Sequence, residues 1–212
     1  MMLVIGLTGS MGMGKSAAAA HFARRGIAVF DADAHVHRLY EGEAVAAIEA
    51  AFPGVARAGK IDRSLLATRV AGSRERLKQL EAIIHPLVVE AEIHFLREQE
   101  AKGAKLAVLE IPLLFETDAH ERVDVSIVMS APEGVQLERV LARPGMTAEK
   151  FAGLKARQMP DAEKRARADF VVESGSGLEN MQAEVDKLIE SLQDRAGTVM
   201  ERLRHWRPRG RV

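Results

Sequence analysis

Gly9-Ser10-Met11-Gly12-Met13-Gly14-Lys15-Ser16 is a complete Gly-x-x-x-x-Gly-Lys-Ser phosphate loop. An apolar run, Leu3 to Leu7, precedes it, and an alanine-rich stretch from Lys15 to Arg25 follows it. Strand, loop and helix stand in the order that the motif needs, which predicts an NTP-binding enzyme. The glycines let successive backbone N–H groups turn inward around phosphate oxygens. Lys15 can reach the β- and γ-oxygens, and Ser16 can hold Mg²⁺. A chance match is expected in roughly one chain in a hundred. The fold class this predicts is α/β, a doubly wound parallel sheet of about five strands of the phosphate-loop NTPase type, with a helical substrate-binding insert and a lid.

Downstream, Gly26 ends the first helix, and Ile27-Ala28-Val29-Phe30 reads as a short buried strand closing at Asp31-Ala32-Asp33. A helix from about Ala34 to Phe52 comes next, and Pro53-Gly54 followed by Gly59-Lys60-Ile61-Asp62 marks a loop or turn. From Ser64 to Lys102 the apolar spacing is helical, with a break expected at His85-Pro86. That stretch is too long for one crossover helix and reads as an inserted helical subdomain. The βα rhythm resumes with Leu106 to Ile111 and Val123 to Met129, whose β-branched and apolar residues suit the centre of a parallel sheet. A helix from about Pro132 to Arg143 leads into Pro144 to Pro160, a charged, glycine-containing segment suited to a mobile lid. Asp169 to Glu173 reads as the last strand and Leu178 to about Leu203 as the final helix. The expected organisation is a single domain over residues 1–212. Its nucleotide core spans about 1–33, 104–143 and 168–212, its insert about 34–103 and its lid about 144–167.

Lys plus Arg and Asp plus Glu both number 30 in 212 residues, so the chain as a whole offers neither a basic footprint for nucleic acid nor attraction to a membrane. Five arginines between Arg202 and Arg211, with His205 and Trp206, read as a solvated terminus on a domain that is not basic. With no cysteine, a disulfide framework, a thiolate metal site and a cysteine nucleophile are excluded, which suits the cytosol. The apolar start breaks at Thr8-Gly9, too soon for a secretory or spanning segment. A cytoplasmic monomer or weak homo-oligomer acting on a small molecule is expected.

In a sheet wound this way ligands sit beyond the carboxyl ends of the strands, so Thr8-Gly9, Asp31 to Asp33 and Pro112 to Glu116 should converge on one cleft. If strand conformation persists through Asp31 and Asp33, both point to one face. Asp31 could then assist Mg²⁺ through water, and Asp33 could receive a hydroxyl proton. The alternative for either aspartate is capping of the next helix. Lys15 and Arg139 are candidates to stabilise a transferring phosphoryl group, with Arg143, Lys150, Lys155 and Arg157 as a basic lid. His85 and Pro112-Leu113-Leu114 are candidate substrate contacts. His35 and His37, like His85, lack a second ligand at metal spacing.

Taken together these motifs resemble the dephospho-CoA kinase family. The landmarks run in series: Gly6-Leu7-Thr8-Gly9 with the loop to Ser16, Asp31-Ala32-Asp33, Gly59 to Arg63, His85-Pro86, Ile111 to Glu116, Arg139, Ala156-Arg157-Gln158 and Ala168-Asp169. The resemblance implies phosphorylation of the ribose 3′-hydroxyl of dephospho-CoA by ATP with Mg²⁺, giving CoA and ADP. Carried over by position, Asp33 is the base, and Lys15 and Arg139 stabilise the phosphoryl group. Gly12, Met13, Gly14, Lys15, Ser16 and Ala17 embrace ATP. Ala17 departs from the family pattern, in which threonine often stands there. Two other readings share the loop: a nucleoside monophosphate or other small-metabolite kinase, and a nucleotide-gated binding module. A monophosphate acceptor is already ionised and needs no carboxylate base, so a role for Asp33 favours a hydroxyl acceptor.

Overall fold

The computed structural model describes residues 1–156, 158–204 and 206. Its main sheet is parallel and five-stranded, built from β1 (Leu3–Thr8), β2 (Ala28–Asp31), β5 (Leu106–Glu110), β6 (Val125–Ser130) and β7 (Phe170–Glu173), in the order β2-β5-β1-β6-β7. Every residue of β1, β5 and β6 is buried, as expected of central strands covered on both faces. Leu7 lies beside Glu110 and Thr8 beside Val128, so β1 and β5 end within one residue of each other and β6 runs two residues further.

The described residues divide into two compact units: 1–30 with 96–204, and 31–95 with 206. In the first, α1 (Lys15–Arg24) and α9 (Leu178–Leu192) cover one face of the sheet. Phe22 on α1 and Met181, Val185 and Leu192 on α9 are almost wholly buried, at a spacing that keeps each set on one side of its helix. His21 links the two helices. Arg24 stands 3.2 Å from its Nδ1, which must accept, so Nε2 donates to Asp186 at 2.8 Å. The remaining helices of this unit are α6 (Glu133–Leu141), α7 (Ala148–Lys155), α8 (Asp161–Arg167) and α10 (Val199–Arg204).

The second unit holds α2 (Ala32–Leu39), α3 (Val45–Ala51), a hairpin of β3 (Ala56–Arg57) and β4 (Lys60–Ile61), α4 (Arg63–Val70) and most of α5 (Arg74–Ala101). The hairpin turn is Ala58-Gly59, both at positive φ (+49° and +77°), the primed-turn geometry that matches strand twist. Glu49 steadies it from α3 by accepting from the N–H groups of Gly54 (2.7 Å) and Ala56 (2.6 Å).

Three helix boundaries differ from expectation. The helix expected over 34–52 is two helices, because the chain turns at Gly42, where Ala44 N–H donates to Leu39 O at 3.1 Å. The break expected at His85-Pro86 is absent: α5 runs through Pro86. Proline in a helix interior costs about 3 kcal/mol, which the buried stripe of Leu80, Ile84, Val88, Ile93 and Leu96 on both sides of it offsets. The final helix is also two. Gly197 lies against the start of β1, where a side chain would strike the Met2 carbonyl. Asp124 then caps the new helix through the N–H groups of Thr198 (2.6 Å) and Val199 (2.9 Å).

Ala58 holds a left-handed conformation that costs a residue with a Cβ roughly 1 kcal/mol. Ala58→Asn is expected to stabilise the protein by about 0.5 kcal/mol, read as a raised urea midpoint; an unchanged or lowered midpoint would refute the strain assignment. The N–H groups of Gly54 and then Ala56 hold the Glu49 carboxyl below the usual carboxylate range. Its contribution is therefore present above that range and is lost as pH falls through the depressed value. Acid unfolding of Glu49→Gln, followed by circular dichroism, should show a shallower loss of stability below pH of about 4.5 than wild type.

Candidate active site

Between β1 and α1 the backbone forms a cradle whose walls stand too close for side chains. At Gly12 (φ +82°) an added Cβ would lie 2.7 Å from Val140 Cγ2 and 3.0 Å from Gln136 O. At Gly14 (φ +83°) it would lie 2.9 Å from Ser174 Oγ. Gly14 is also the N-cap of α1, with no side chain capping the helix and no acidic residue in its first turn. The positive end of the helix and its first N–H groups, which lack intrahelical acceptors, are thus left for an anion.

Two cations flank this opening. Lys15 Nζ lies 2.5 Å from Glu110 Oε1, with the side chains 14% and 6% exposed. Glu110 is the last residue of β5, so the sheet itself presents the carboxylate to the first residue of α1. On the other side Arg139, near the end of α6, is bound to the turn after β7. Its Nη2 donates to Ser174 O at 2.7 Å, and its Nη1 to Ser174 Oγ at 2.9 Å and to Gly12 O at 3.4 Å. Ser174 Oγ in turn donates to Met13 O at 3.0 Å, and Gln136 donates to Met11 O at 2.8 Å. Helix α6 and Ser174 therefore set the cradle's outer rim, while Arg139 keeps further N–H donors.

The segment after β5 forms another border. Thr8 Oγ1 donates to Pro112 O at 3.1 Å. Pro112 is partly exposed and Leu113 is exposed. Leu114, expected beside them on the wall, instead faces the core. It has no exposed surface, and its Cδ1 would lie 3.1 Å from a Cβ at Gly6. Leu114 anchors the wall and does not line it.

In the second unit, Asp31 Oδ1 accepts from Ala34 N–H at 2.9 Å and caps α2, the alternative left open for it above. Asp33, in the first turn of that helix, is exposed, and its carboxylate makes no hydrogen bond or ion pair among the described residues. His85 is exposed on α5. The His35 ring is held below the usual imidazole value, by burial first and by Arg38 second. Among the described residues no group of three His, Cys, Asp or Glu could hold a metal.

The structure thus brings the loop residues Gly12 to Ala17, Arg139 and Pro112 together within the first unit, whereas Asp31, Asp33 and His85 belong to the second. Of the expected lid, Arg143 is exposed, Lys150 donates to Gly145 O at 2.8 Å and Lys155 pairs with Glu133 at 2.5 Å. Arg157 and most of the arginine-rich tail lie outside the described residues. Glu110 and Ser174 are the site residues that sequence reasoning missed. Both stand at strand carboxyl ends, where ligands gather: Glu110 closes β5 and Ser174 follows β7. Applied to every strand, that rule selects both.

A bare helix terminus flanked by a lysine and an arginine is a site for phosphate, and on this sheet it defines a phosphate-loop nucleotide-binding enzyme. Comparison with known proteins narrows the class. The dephospho-CoA kinase family matches residues 3–180, and the chain belongs to that family. It is 52% identical to a dephospho-CoA kinase of Rhodopseudomonas palustris over 190 residues, 90% of this chain and 96% of the relative. It is likewise 52% identical to a dephospho-CoA kinase of Mesorhizobium japonicum over 197 residues, 93% of this chain and all of the relative. Among solved structures, a Thermus thermophilus protein matches with TM-score 0.80 at 35% identity, covering 90% of this chain and 98% of its own.

Ser174→Ala removes the acceptor of one Arg139 hydrogen bond and the donor to Met13 O. The expected effect is about a tenfold loss of ATP affinity in isothermal titration, of the order of one hydrogen bond to a charged group. Unchanged affinity would show that Ser174 does not brace the cradle.

Proposed function

We infer that this chain is an ATP-dependent kinase that phosphorylates the ribose 3′-hydroxyl of dephospho-CoA, giving CoA and ADP. The observation that carries the reading is the family match over residues 3–180, within which the phosphate cradle is complete.

The residues fit a triphosphate. The cradle admits no Cβ at Gly12 or Gly14, so backbone N–H groups can approach phosphate oxygens closely. In this reading residues 12 to 17 embrace the nucleotide, and Lys15 leaves Glu110 for the β- and γ-oxygens. Arg139 offers its remaining donors to the equatorial oxygens of the transferring group, where charge develops. Mg²⁺ would be held by Ser16, with Asp31 assisting through water from the oxygen not used in capping. A magnesium ion held mainly by phosphate oxygens and water needs few protein ligands.

Asp33 is the proposed base. It follows the end of β2 by two residues, and its carboxylate is uncommitted where that of Asp31 is spent in part on a helix cap. The acceptor oxygen would bond to the γ-phosphorus as the bridge to the β-phosphate breaks, and the hydroxyl proton would pass to Asp33. His85, Pro112 and Leu113 would contact the acceptor, Leu113 offering an exposed apolar side chain. Arg143 and Arg157 would close over the phosphates from the 144–167 segment. No helix among the described residues is long and apolar enough to cross a membrane. A cytoplasmic protein, monomeric or weakly self-associating, fits two water-soluble nucleotide substrates.

Coupled measurement of ADP release should be made with dephospho-CoA, AMP, shikimate and gluconate supplied separately. Turnover is expected with dephospho-CoA alone. Asp33→Asn should lower kcat by about a hundredfold to ten-thousandfold, and Lys15→Ala by about a hundredfold or more. Full activity in Asp33→Asn would remove the base assignment, and turnover with AMP alone would remove the substrate.

A further inference from the structure

Lys164 on α8 has no exposed surface, although lysine is almost never fully buried unless paired. Its ammonium lies 2.9 Å from Glu116 Oε1 and donates to Pro112 O at 3.1 Å. Pro112 O is the same carbonyl that accepts from Thr8 Oγ1 at the end of β1. Glu116 Oε1 also accepts from Met159 N–H at 2.9 Å. Two residues before α8, therefore, the chain returning from the basic segment is fastened to the acceptor wall. One turn earlier than Lys164 on α8, Asp161 Oδ2 accepts from Ser130 Oγ at 2.7 Å, at the end of β6. Helix α8 is thus pinned to the strand ends at two places.

Stability alone is a poor account of this clamp. Glu116 Oε2 and Asp161 Oδ1 are buried with no hydrogen-bond partner among the described residues. Each leaves a polar atom stripped of water, and apolar side chains of similar volume would pack α8 against the wall without that penalty. What apolar packing cannot do is direct a donor at a chosen carbonyl.

We propose that Lys164, held by Glu116, is a positioning residue that sets the Pro112-Leu113 wall against Thr8 and so fixes where the acceptor lies relative to the phosphate cradle. The inference rests on the reading of Pro112 and Leu113 as acceptor contacts. It separates the two substrates: the ATP cradle is braced by α6 and Ser174, whereas the acceptor wall is braced by α8. Disturbing the clamp should therefore weaken the acceptor and spare ATP.

The test is steady-state kinetics of the full chain, with each substrate varied in turn, well below the melting temperature of every variant. Lys164→Met combined with Glu116→Gln removes the ammonium without stranding a buried charge. It should keep a melting temperature near wild type, raise KM for dephospho-CoA about fivefold to tenfold and leave KM for ATP within about twofold. A merely structural role would shift both KM values together. Lys164→Gln combined with Glu116→Gln keeps neutral side chains of similar size and strands no charge; it carries the test if the first double variant does not fold, with KM for dephospho-CoA about threefold higher. Leu113→Ala reports on the wall itself. If it raises the acceptor KM while the clamp variants keep the wild-type value, or move both KM values equally, the positioning role is overturned and the wall stands. If Leu113→Ala leaves the acceptor KM unchanged, the wall reading fails and the inference with it.

Discussion

The site depends on how tightly the loop backbone packs against the elements around it. Val140 and Gln136 from α6 and Ser174 from the turn after β7 stand within 3.0 Å of where Cβ atoms of residues 12 and 14 would lie. That contact makes a concave run of backbone into a rigid one. It also leaves the positive end of α1 uncapped and facing outward. A rigid cradle can aim N–H groups at phosphate oxygens without reorganising, which is where electrostatic stabilisation gains most over water.

Around that cradle the charged groups are held by partners of different kinds. Lys15 rests on a carboxylate that the adjacent strand supplies. A buried ion pair of this sort adds little net stability, because desolvation offsets attraction, so it can yield to a phosphate of greater charge. Arg139 is bound instead to two backbone carbonyls and a hydroxyl, neutral acceptors that orient its guanidinium without neutralising it. One cation is thus paired with a charge, and the other is oriented by neutral groups.

Much of this was legible along the chain. The glycine spacing, the apolar runs that became β1, β5 and β6, and the order of strand, loop and helix each follow from local chemistry. Asp33 was legible as a candidate because it follows a strand. Which of Asp31 and Asp33 caps α2 was not, since capping depends on which carboxylate meets the Ala34 N–H. Leu114 and Leu113 are the same residue type side by side, and nothing local tells the core-facing one from the exposed one. Pro86 signals a break, yet α5 passes through it because apolar burial on both sides outweighs one lost hydrogen bond.

The sequence by itself determined the class of fold, the family and the loop that binds phosphate, because the loop, each strand pattern and each motif of the family series is written in residues close together along the chain. Tertiary structure alone decided that Glu110 meets Lys15, that Ser174 joins Arg139 to the loop, and that a buried lysine on α8 reaches the Pro112 carbonyl. Those partners are separated by 95, 35 and 52 positions. Their meeting depends on strand order and helix packing, which no local pattern of residue types encodes.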